Sequence, residues 1–241
     1  MPHGRPDWYN IAPLVQIHAS EDINELAARL DNINVFDRRG NVVDTETFAY
    51  GLGGCYVVAG GEASYELSCA YSRSDGLSLK CLTTGSDFDS VTIDKYQGVQ
   101  GSGSRGLEVS WSATAKHGQI GIALWYHTGT LYYWAQVYYD FDTETLYYLD
   151  DAGVGQEIDN ALLLSAGGSV WHYLKLAVDW DAKEYLRVLI DGHSYSLAGI
   201  TIYDGIGTTN FSENWRLYVV GEGHVESDFY IDSMIYTINE N

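Results

Sequence analysis

The chain has 241 residues, with 33 Asp and Glu against 13 Lys and Arg, a formal charge of −20, and 20 tyrosines. A chain of this length buries enough apolar surface to fold without disulfides or structural zinc. The acidic excess opposes contact with a phosphate backbone, and no apolar run is long enough to cross a bilayer, so we expect no nucleic-acid partner and no membrane insertion.

The first 18 residues predict an extended arm, because they contain all three prolines of the chain, Pro2, Pro6 and Pro13. Proline restricts φ and lacks the amide donor that a strand ladder needs. An extended segment has no core of its own, so we expect its apolar residues to contact another chain. These residues are Trp8, Tyr9, Ile11 and Leu14. The start of the sequence lacks the apolar core of a signal peptide, so export by the ordinary route is not expected.

Residues 20–31 predict the one helix of the chain. Ser20 fits the N-cap position, two acids follow it in the first turn, and apolar residues recur on one face. We expect this short helix and a connecting hairpin to occupy residues 19–43. A β-sandwich domain is expected to follow over residues 44–241.

Short alternating strands, separated by Gly, Asp, Asn and Ser clusters, continue from residue 44 to the end and predict an all-β fold of two packed antiparallel sheets. The dipeptide Asp191-Gly192, between two apolar segments, is a strong hairpin signal. Cys69 and Cys81 fall on inward-facing positions of the alternation, which favours buried thiols. A disulfide between them is left open if their strands pair.

A meander over residues 119–149 is the clearest run of strands. A four-residue turn, HTGT, pairs Trp125 with Tyr132 in the first hairpin, and a second turn through DFDTET pairs Tyr138 with Tyr147. Because side chains alternate with period two, one face of the meander is apolar and is predicted to face the core. The opposite face mixes aromatic rings, amides and very small residues.

This mixed face is the best candidate site in the sequence. Its rings and amides are Gln119, Trp125, Tyr132, Trp134, Gln136, Tyr138 and Tyr147. Such groups stack on sugar rings and bond hydroxyls, but they also line protein interfaces. Three alternatives follow: the face binds a glycan, it packs within or between subunits, or it faces solvent without a binding role. No Lys or Arg lies between His117 and Tyr173, where seven acids fall, which favours a neutral glycan over an acidic polysaccharide.

Two C-terminal segments read WHYLKLAVDWDAKEYLRVLIDGHSYSL at 171–197 and FYIDSMIYT at 229–237. Together they resemble the second half of a concanavalin A-like sandwich, the group of lectins, glucanases and laminin-G domains. The segment SRSDGLSLK at 72–80 resembles the strand entry of jelly-roll carbohydrate-binding modules. The resemblance covers roughly residues 44–238 and implies an antiparallel jelly-roll β-sandwich. Sandwiches of this group host lectins, hydrolases, lyases and virion components, so the fold does not assign a function.

The resemblance also implies one candidate metal site. Related carbohydrate-binding jelly rolls hold a structural Ca²⁺ between an acid after the first-strand Phe and an Asp of the last strand. Asp232 matches the second position, but Ala49 stands at the first, so Glu46 or Asp44 would have to substitute. We expect no other cofactor.

Catalytic motifs of the family are absent from the sequence. Its retaining glucanases carry paired carboxylates on one strand in an ExDxxE pattern, and no segment here has that pattern. The nearest acids, Asp140, Asp142 and Glu144, fall in the DFDTET turn, which is typical of a solvated hairpin. The seven histidines are scattered without a nucleophile motif. We therefore expect a protein that is not an enzyme.

Two functions fit these observations. The first is a structural protein of an assembly, such as a virion decoration or tail component, because an arm joined to a sandwich resembles proteins that decorate tailed-phage particles. It would form a homo-oligomer or bind other shell or tail proteins at the surface of a virion or another extracellular assembly. The second is a carbohydrate-binding module or lectin that uses the aromatic face. We favour the first, and glycan contact is compatible with it.

Overall fold

The protein is described by a computed structural model over residues 39–73, 76–84, 89–98, 101–207, 211–221 and 225–240. Within these ranges the chain forms sixteen β-strands and no helix. The described part of the chain contains no helix that is long and apolar enough to span a bilayer. The predicted arm and the predicted helix lie outside the described residues.

The strands follow one another along the chain with short connections. In order they are β1 (Asn41–Glu46), β2 (Tyr56–Gly60), β3 (Ser64–Ser68), β4 (Ser78–Thr83), β5 (Ser90–Gln97), β6 (Ser104–Ala113), β7 (Gln119–Thr128), β8 (Leu131–Asp140), β9 (Thr145–Leu149), β10 (Gly155–Asp159), β11 (His172–Asp179), β12 (Glu184–Ile190), β13 (His193–Ser196), β14 (Tyr203–Ile206), β15 (Phe211–Val220) and β16 (Ser227–Ile238).

The strands form two eight-stranded antiparallel sheets. The first sheet has the order β13-β12-β11-β6-β16-β4-β3, with β1 also paired to β16. The second has the order β10-β9-β8-β7-β15-β5-β2, with β14 paired to β8. The hairpin predicted at Asp191-Gly192 joins β12 to β13. The predicted all-β sandwich of jelly-roll type is confirmed.

Apolar side chains from alternate positions of both sheets fill the space between them. The apolar face of the meander is part of this core, as predicted, with Ile120, Ile122 and Leu124 of β7 and Val137 of β8 fully buried. Leu176 of β11 is buried from the opposite sheet. Each such side chain contributes about 1.5–3 kcal/mol by leaving water, which makes burial the main force holding the sheets together.

The register of the first meander hairpin differs from the prediction by two residues. The turn between β7 and β8 has two residues rather than four, with Gly129 at a φ of 89°. Trp125 consequently pairs with Trp134 instead of Tyr132. Because the shift is even, every side chain keeps its predicted face. The predicted register between β8 and β9 is confirmed.

The cysteines are all free thiols. Strands β3 and β4 do pair, but Tyr65 lies opposite Cys81, and Cys69 follows the end of β3 in an exposed position. The inward position predicted for Cys69 is therefore wrong, because the strand ends before reaching it. Cys81 is fully buried, and burial raises the pKa of its thiol.

Candidate functional site

The outer face of the second sheet carries the aromatic residues predicted for the meander. Trp125 of β7 pairs directly with Trp134 of β8, and directly paired residues project from the same face of a sheet. Their rings are stacked, with centroids 5.5 Å apart and planes inclined by 11°. The two indoles stack on each other and together form an apolar aromatic platform.

A cleft of about 380 Å³ opens at this platform. Its walls consist of Trp125, His127, Tyr132, Trp134, Ile206, Gly207, Asn214 and Arg216. The cleft thus combines three of the predicted ring-bearing residues with groups from β14 and β15, strands that lie far from the meander in the chain but beside it in the sheet.

Arg216 is the one cation among the residues that line the cleft, and two neighbours hold it. Its Nε and Nη2 donate to Oδ1 and Oδ2 of Asp94 at 2.6 and 2.9 Å. Its Cζ lies 4.7 Å from the centroid of the Trp125 ring. A planar guanidinium can make a two-point ion pair and stack at the same time. The charge of Arg216 is therefore balanced, and its position over the indole is well defined.

Glycines lie beneath two tyrosines of this face and let the rings approach the sheet. A Cβ added at Gly205 of β14 would lie 2.5 Å from the ring of Tyr132. A Cβ at Gly121 of β7 would lie 2.4 Å from the ring of Tyr218. Both distances are shorter than the closest approach of two non-bonded carbon atoms. The rings therefore occupy these positions only because glycine has no Cβ.

Tyr203 of β14 borders the cleft and contacts two of its rings. Its ring centroid lies 5.9 Å from those of Tyr132 and Trp134. The hydrogen bond with Tyr203 raises the pKa of Tyr132, so this phenol stays protonated at neutral pH. On its other side Tyr132 stacks with His127, at a centroid distance of 5.8 Å.

Two polar atoms of the cleft residues find no hydrogen-bond partner in the described part of the chain. They are Nε1 of Trp134, a donor, and Oδ1 of Asn214, an acceptor. Buried polar atoms in folded proteins are nearly always hydrogen-bonded to protein or water. Both atoms are shielded from solvent within the wall of the cleft.

The remaining predicted residues lie on the same face but outside the cleft. Tyr138 and Tyr147 stack with centroids 4.9 Å apart and planes at 16°. Gln136 Nε2 donates to Tyr218 Oη at 2.6 Å, and Gln119 Nε2 donates to a carboxylate of the DFDTET turn at 3.1 Å. Both amides thus form hydrogen bonds within the sheet. The structure brings together the indoles and Tyr132 and separates them from these four residues.

Five residues that line the cleft were not identified from sequence, nor was Tyr203, which borders it; the five are His127, Ile206, Gly207, Asn214 and Arg216. The predicted four-residue turn puts His127 in a loop, whereas it belongs to β7. The alternation in FSENWRLYVV indicates that Asn214 and Arg216 face outward. It does not indicate that β15 pairs with β7, which is the contact that brings them to the cleft.

The residues predicted for calcium do not form an oxygen-rich ligand set. Asp232 Oδ2 accepts a hydrogen bond from the Arg73 amide at 2.7 Å, and Glu46 Oε1 accepts one from the Phe48 amide at 3.1 Å. No group of three or more His, Cys, Asp or Glu in the described ranges could hold a metal ion. Asp140 and Asp142 of the DFDTET turn accept hydrogen bonds from nearby backbone amides, and Glu144 pairs with Lys116.

Comparison with known proteins gives similarity in structure without similarity in sequence. No profile of a known family matches the chain, and no curated protein matches it. An endo-beta-1,4-glucuronan lyase from the fungus Trichoderma reesei matches with a TM-score of 0.58 and 13% identity, over 82% of this chain and 95% of that one. A sialidase matches with a TM-score of 0.52 and 9% identity, over 83% of this chain and 19% of its own. A Bacillus licheniformis beta-glucanase has a TM-score of 0.47 and 14% identity, over 80% and 97% of the two chains.

The lyase and sialidase matches support the fold that the resemblance implied, a concanavalin A-like β-sandwich. They also correct one prediction. The expectation that the protein is not an enzyme, which was inferred from the missing catalytic motifs, is wrong, because the same fold forms nearly the whole of a glucuronan lyase. The chain lacks the ExDxxE pattern of retaining glucanases, and the fold hosts several other chemistries.

Proposed function

We propose that the chain binds a neutral carbohydrate in the cleft on the outer face of the second sheet. The observation that carries this proposal is the stacked pair of Trp125 and Trp134 in the cleft wall. The pair adds apolar aromatic surface to the cleft wall, and sites for small molecules combine such surfaces with a few polar groups.

Polar groups around the indoles supply the hydrogen bonds that sugar hydroxyls need. The guanidinium of Arg216, which lines the cleft, offers donors. His127 and the phenol of Tyr132 line the same cleft and add further hydrogen-bonding groups. Because Asp94 balances the charge of Arg216 and the whole chain carries −20, an uncharged sugar is favoured over an acidic one.

The test is binding of the full chain to an array of neutral glycans, followed by calorimetric titration with the best ligand. Trp134→Ala should weaken binding by more than about tenfold, since it removes half of the stacking platform. Trp171→Ala is the matched control, because Trp171 lines a separate cavity next to Tyr71 and Arg73. Unchanged binding by Trp134→Ala, or equal loss in both variants, would contradict the proposal.

A second candidate is β-elimination in an acidic polysaccharide, and one observation favours it: His127, Tyr132, Asn214 and Arg216 line the same cleft. In this reaction a base removes the proton next to a uronate carboxyl group, the bond to the leaving glycosidic oxygen breaks, and a carbon–carbon double bond forms. Arg216 and Asn214 would stabilise the carboxyl group, and His127 would accept the proton. Tyr132, whose phenol carries a proton at neutral pH, would protonate the leaving oxygen.

The structural similarity to a glucuronan lyase supports testing this candidate with glucuronan itself. Elimination creates an unsaturated product end that absorbs ultraviolet light, so turnover can be followed directly. Tyr132→Phe should remove turnover and retain binding, because it deletes only the phenolic proton donor. Absence of turnover by the unmodified chain would eliminate this candidate and leave carbohydrate binding as the function.

A structural role in a virion or another extracellular assembly, with a homo-oligomer or other shell or tail proteins as partners, stays a prediction. It depends on the arm, residues 1–18, which lies outside the described residues. Carbohydrate binding by the sandwich is compatible with it, since the arm and the cleft are different parts of the chain.

A further inference from the structure

We infer that the bound carbohydrate is an extended chain of several sugars that lies across the strands, with Tyr96 as a second stacking platform at one end. This inference rests on the proposed carbohydrate function. It goes further by assigning a length and a direction to the ligand.

The direction comes from a row of paired residues that crosses the second sheet. The row runs over five neighbouring strands and consists of Tyr96, Asn214, Trp125, Trp134 and Tyr203. Paired residues project from one face, and neighbouring strands lie about 4.8 Å apart, so the row extends for about 19 Å. That length exceeds a single sugar ring several times over.

The chemistry of the row matches a linear uncharged ligand. Four of its five members are aromatic and none is charged. Asn214 lies between Tyr96 and Trp125 and also lines the cleft. An aromatic side chain on each side of a polar amide suits a ligand whose apolar ring faces and hydroxyl groups alternate along its length.

Tyr96 belongs to the row but does not line the cleft. Its side chain is 70% exposed, whereas the indoles of the row are partly buried. A terminal sugar bound at Trp125 and Trp134 would leave Tyr96 unused, because β15 separates β5 from β7. A chain of several sugars would cover it.

The experiment measures affinity as a function of ligand length for cello-, laminari-, manno- and xylo-oligosaccharides, from monosaccharide to hexasaccharide. In the unmodified protein the hexasaccharide of the preferred series should bind more tightly than the disaccharide. Tyr96→Ala should weaken hexasaccharide binding by roughly three- to tenfold and leave disaccharide binding unchanged. Tyr50→Ala, which removes a fully exposed tyrosine outside this row, is the matched control.

The outcomes separate the inference from the function on which it rests. If affinity does not rise with length, or if Tyr96→Ala leaves the rise intact, the extended ligand is overturned while carbohydrate binding stands. If Trp134→Ala and Tyr96→Ala weaken the disaccharide equally, Tyr96 belongs to the central site and the inference is also overturned. If no oligosaccharide of any series binds, the proposed function itself fails.

Discussion

Arg105 of β6 and Glu213 of β15 form an ion pair of 2.6 Å that crosses between the two sheets, although both side chains are almost completely buried. The same Glu213 oxygen accepts hydrogen bonds from Trp180 Nε1 at 3.0 Å and from Tyr236 Oη at 2.5 Å. A charged pair in the core is costly to desolvate and becomes very unfavourable when one member is removed. It therefore links the sheets at one defined position.

Arg105→Met should lower the free energy of unfolding by about 3–5 kcal/mol, because it leaves Glu213 as an unpaired buried charge. Chemical denaturation followed by tryptophan fluorescence measures this change. Lys116→Met is the control, since Lys116 pairs with Glu144 at the surface, where ion pairs contribute little. A loss for Arg105→Met no larger than that for Lys116→Met would show that the buried pair does not support the sandwich.

Stability should depend on pH through His172, which is buried against the core. Its Nδ1 lies 2.7 Å from Asp191 Oδ2 and its Nε2 lies 2.8 Å from the carbonyl oxygen of Ser165. Both contacts are to acceptors, so they favour the charged ring, in which both nitrogens carry protons. Burial lowers the pKa of His172, but the hydrogen bond and charge of Asp191 and the carbonyl of Ser165 together outweigh it and raise the pKa above 6.5.

Because the pKa of His172 is raised in the folded state, the stabilisation from its contact with Asp191 is fully present below the unfolded pKa of about 6.5. It is lost as the pH rises through the folded pKa. The melting temperature should therefore fall across this interval. Asp191→Asn, which keeps the shape but removes the charge, should flatten the profile over the same interval. A profile that is identical in the unmodified protein and in Asp191→Asn would refute this role of the pair.

Gly205→Ala should weaken carbohydrate binding without touching the ligand itself. A methyl group at this position would lie 2.5 Å from the Tyr132 ring and must displace it from the cleft. Titration with the preferred neutral oligosaccharide measures the effect, which we expect to be at least about threefold. Gly192→Ala serves as the control, because nothing lies within 4 Å of the added atom there. Equal affinities for both variants would mean that Tyr132 does not contribute to binding.

Deletion of residues 1–18 tests the assembly role. If the arm joins subunits, the shortened chain should have a lower mass in solution than the full chain at the same concentration, as measured by light scattering. Its circular dichroism should be unchanged, because the two sheets have a core of their own. A full chain that is already monomeric at high concentration would contradict the assembly role and favour a carbohydrate-binding protein.

Much of the fold could be predicted because the patterns involved are local. Alternation over β7 and β8 assigns each side chain to a face, and that assignment survives even where the register is off by two residues, as for Trp125. The turn length could not be predicted from HTGT, since two-residue and four-residue turns both suit those residues. The position of Cys69 depended on where β3 ends, and strand ends are set by contacts outside the strand.

The sequence by itself determined the two-sheet sandwich, the core face of the meander and the aromatic character of its outer face, because these follow from side-chain alternation and short-range turns. Only the tertiary structure decided which strands lie beside the meander. Arg216 and Asn214 on β15 and Tyr203 on β14 come to the cleft through pairing between strands far apart in the chain. Such pairing is selected by the packing of the whole core. No local sequence pattern therefore predicts that the aromatic face forms a cleft with a balanced charge and polar groups in its wall.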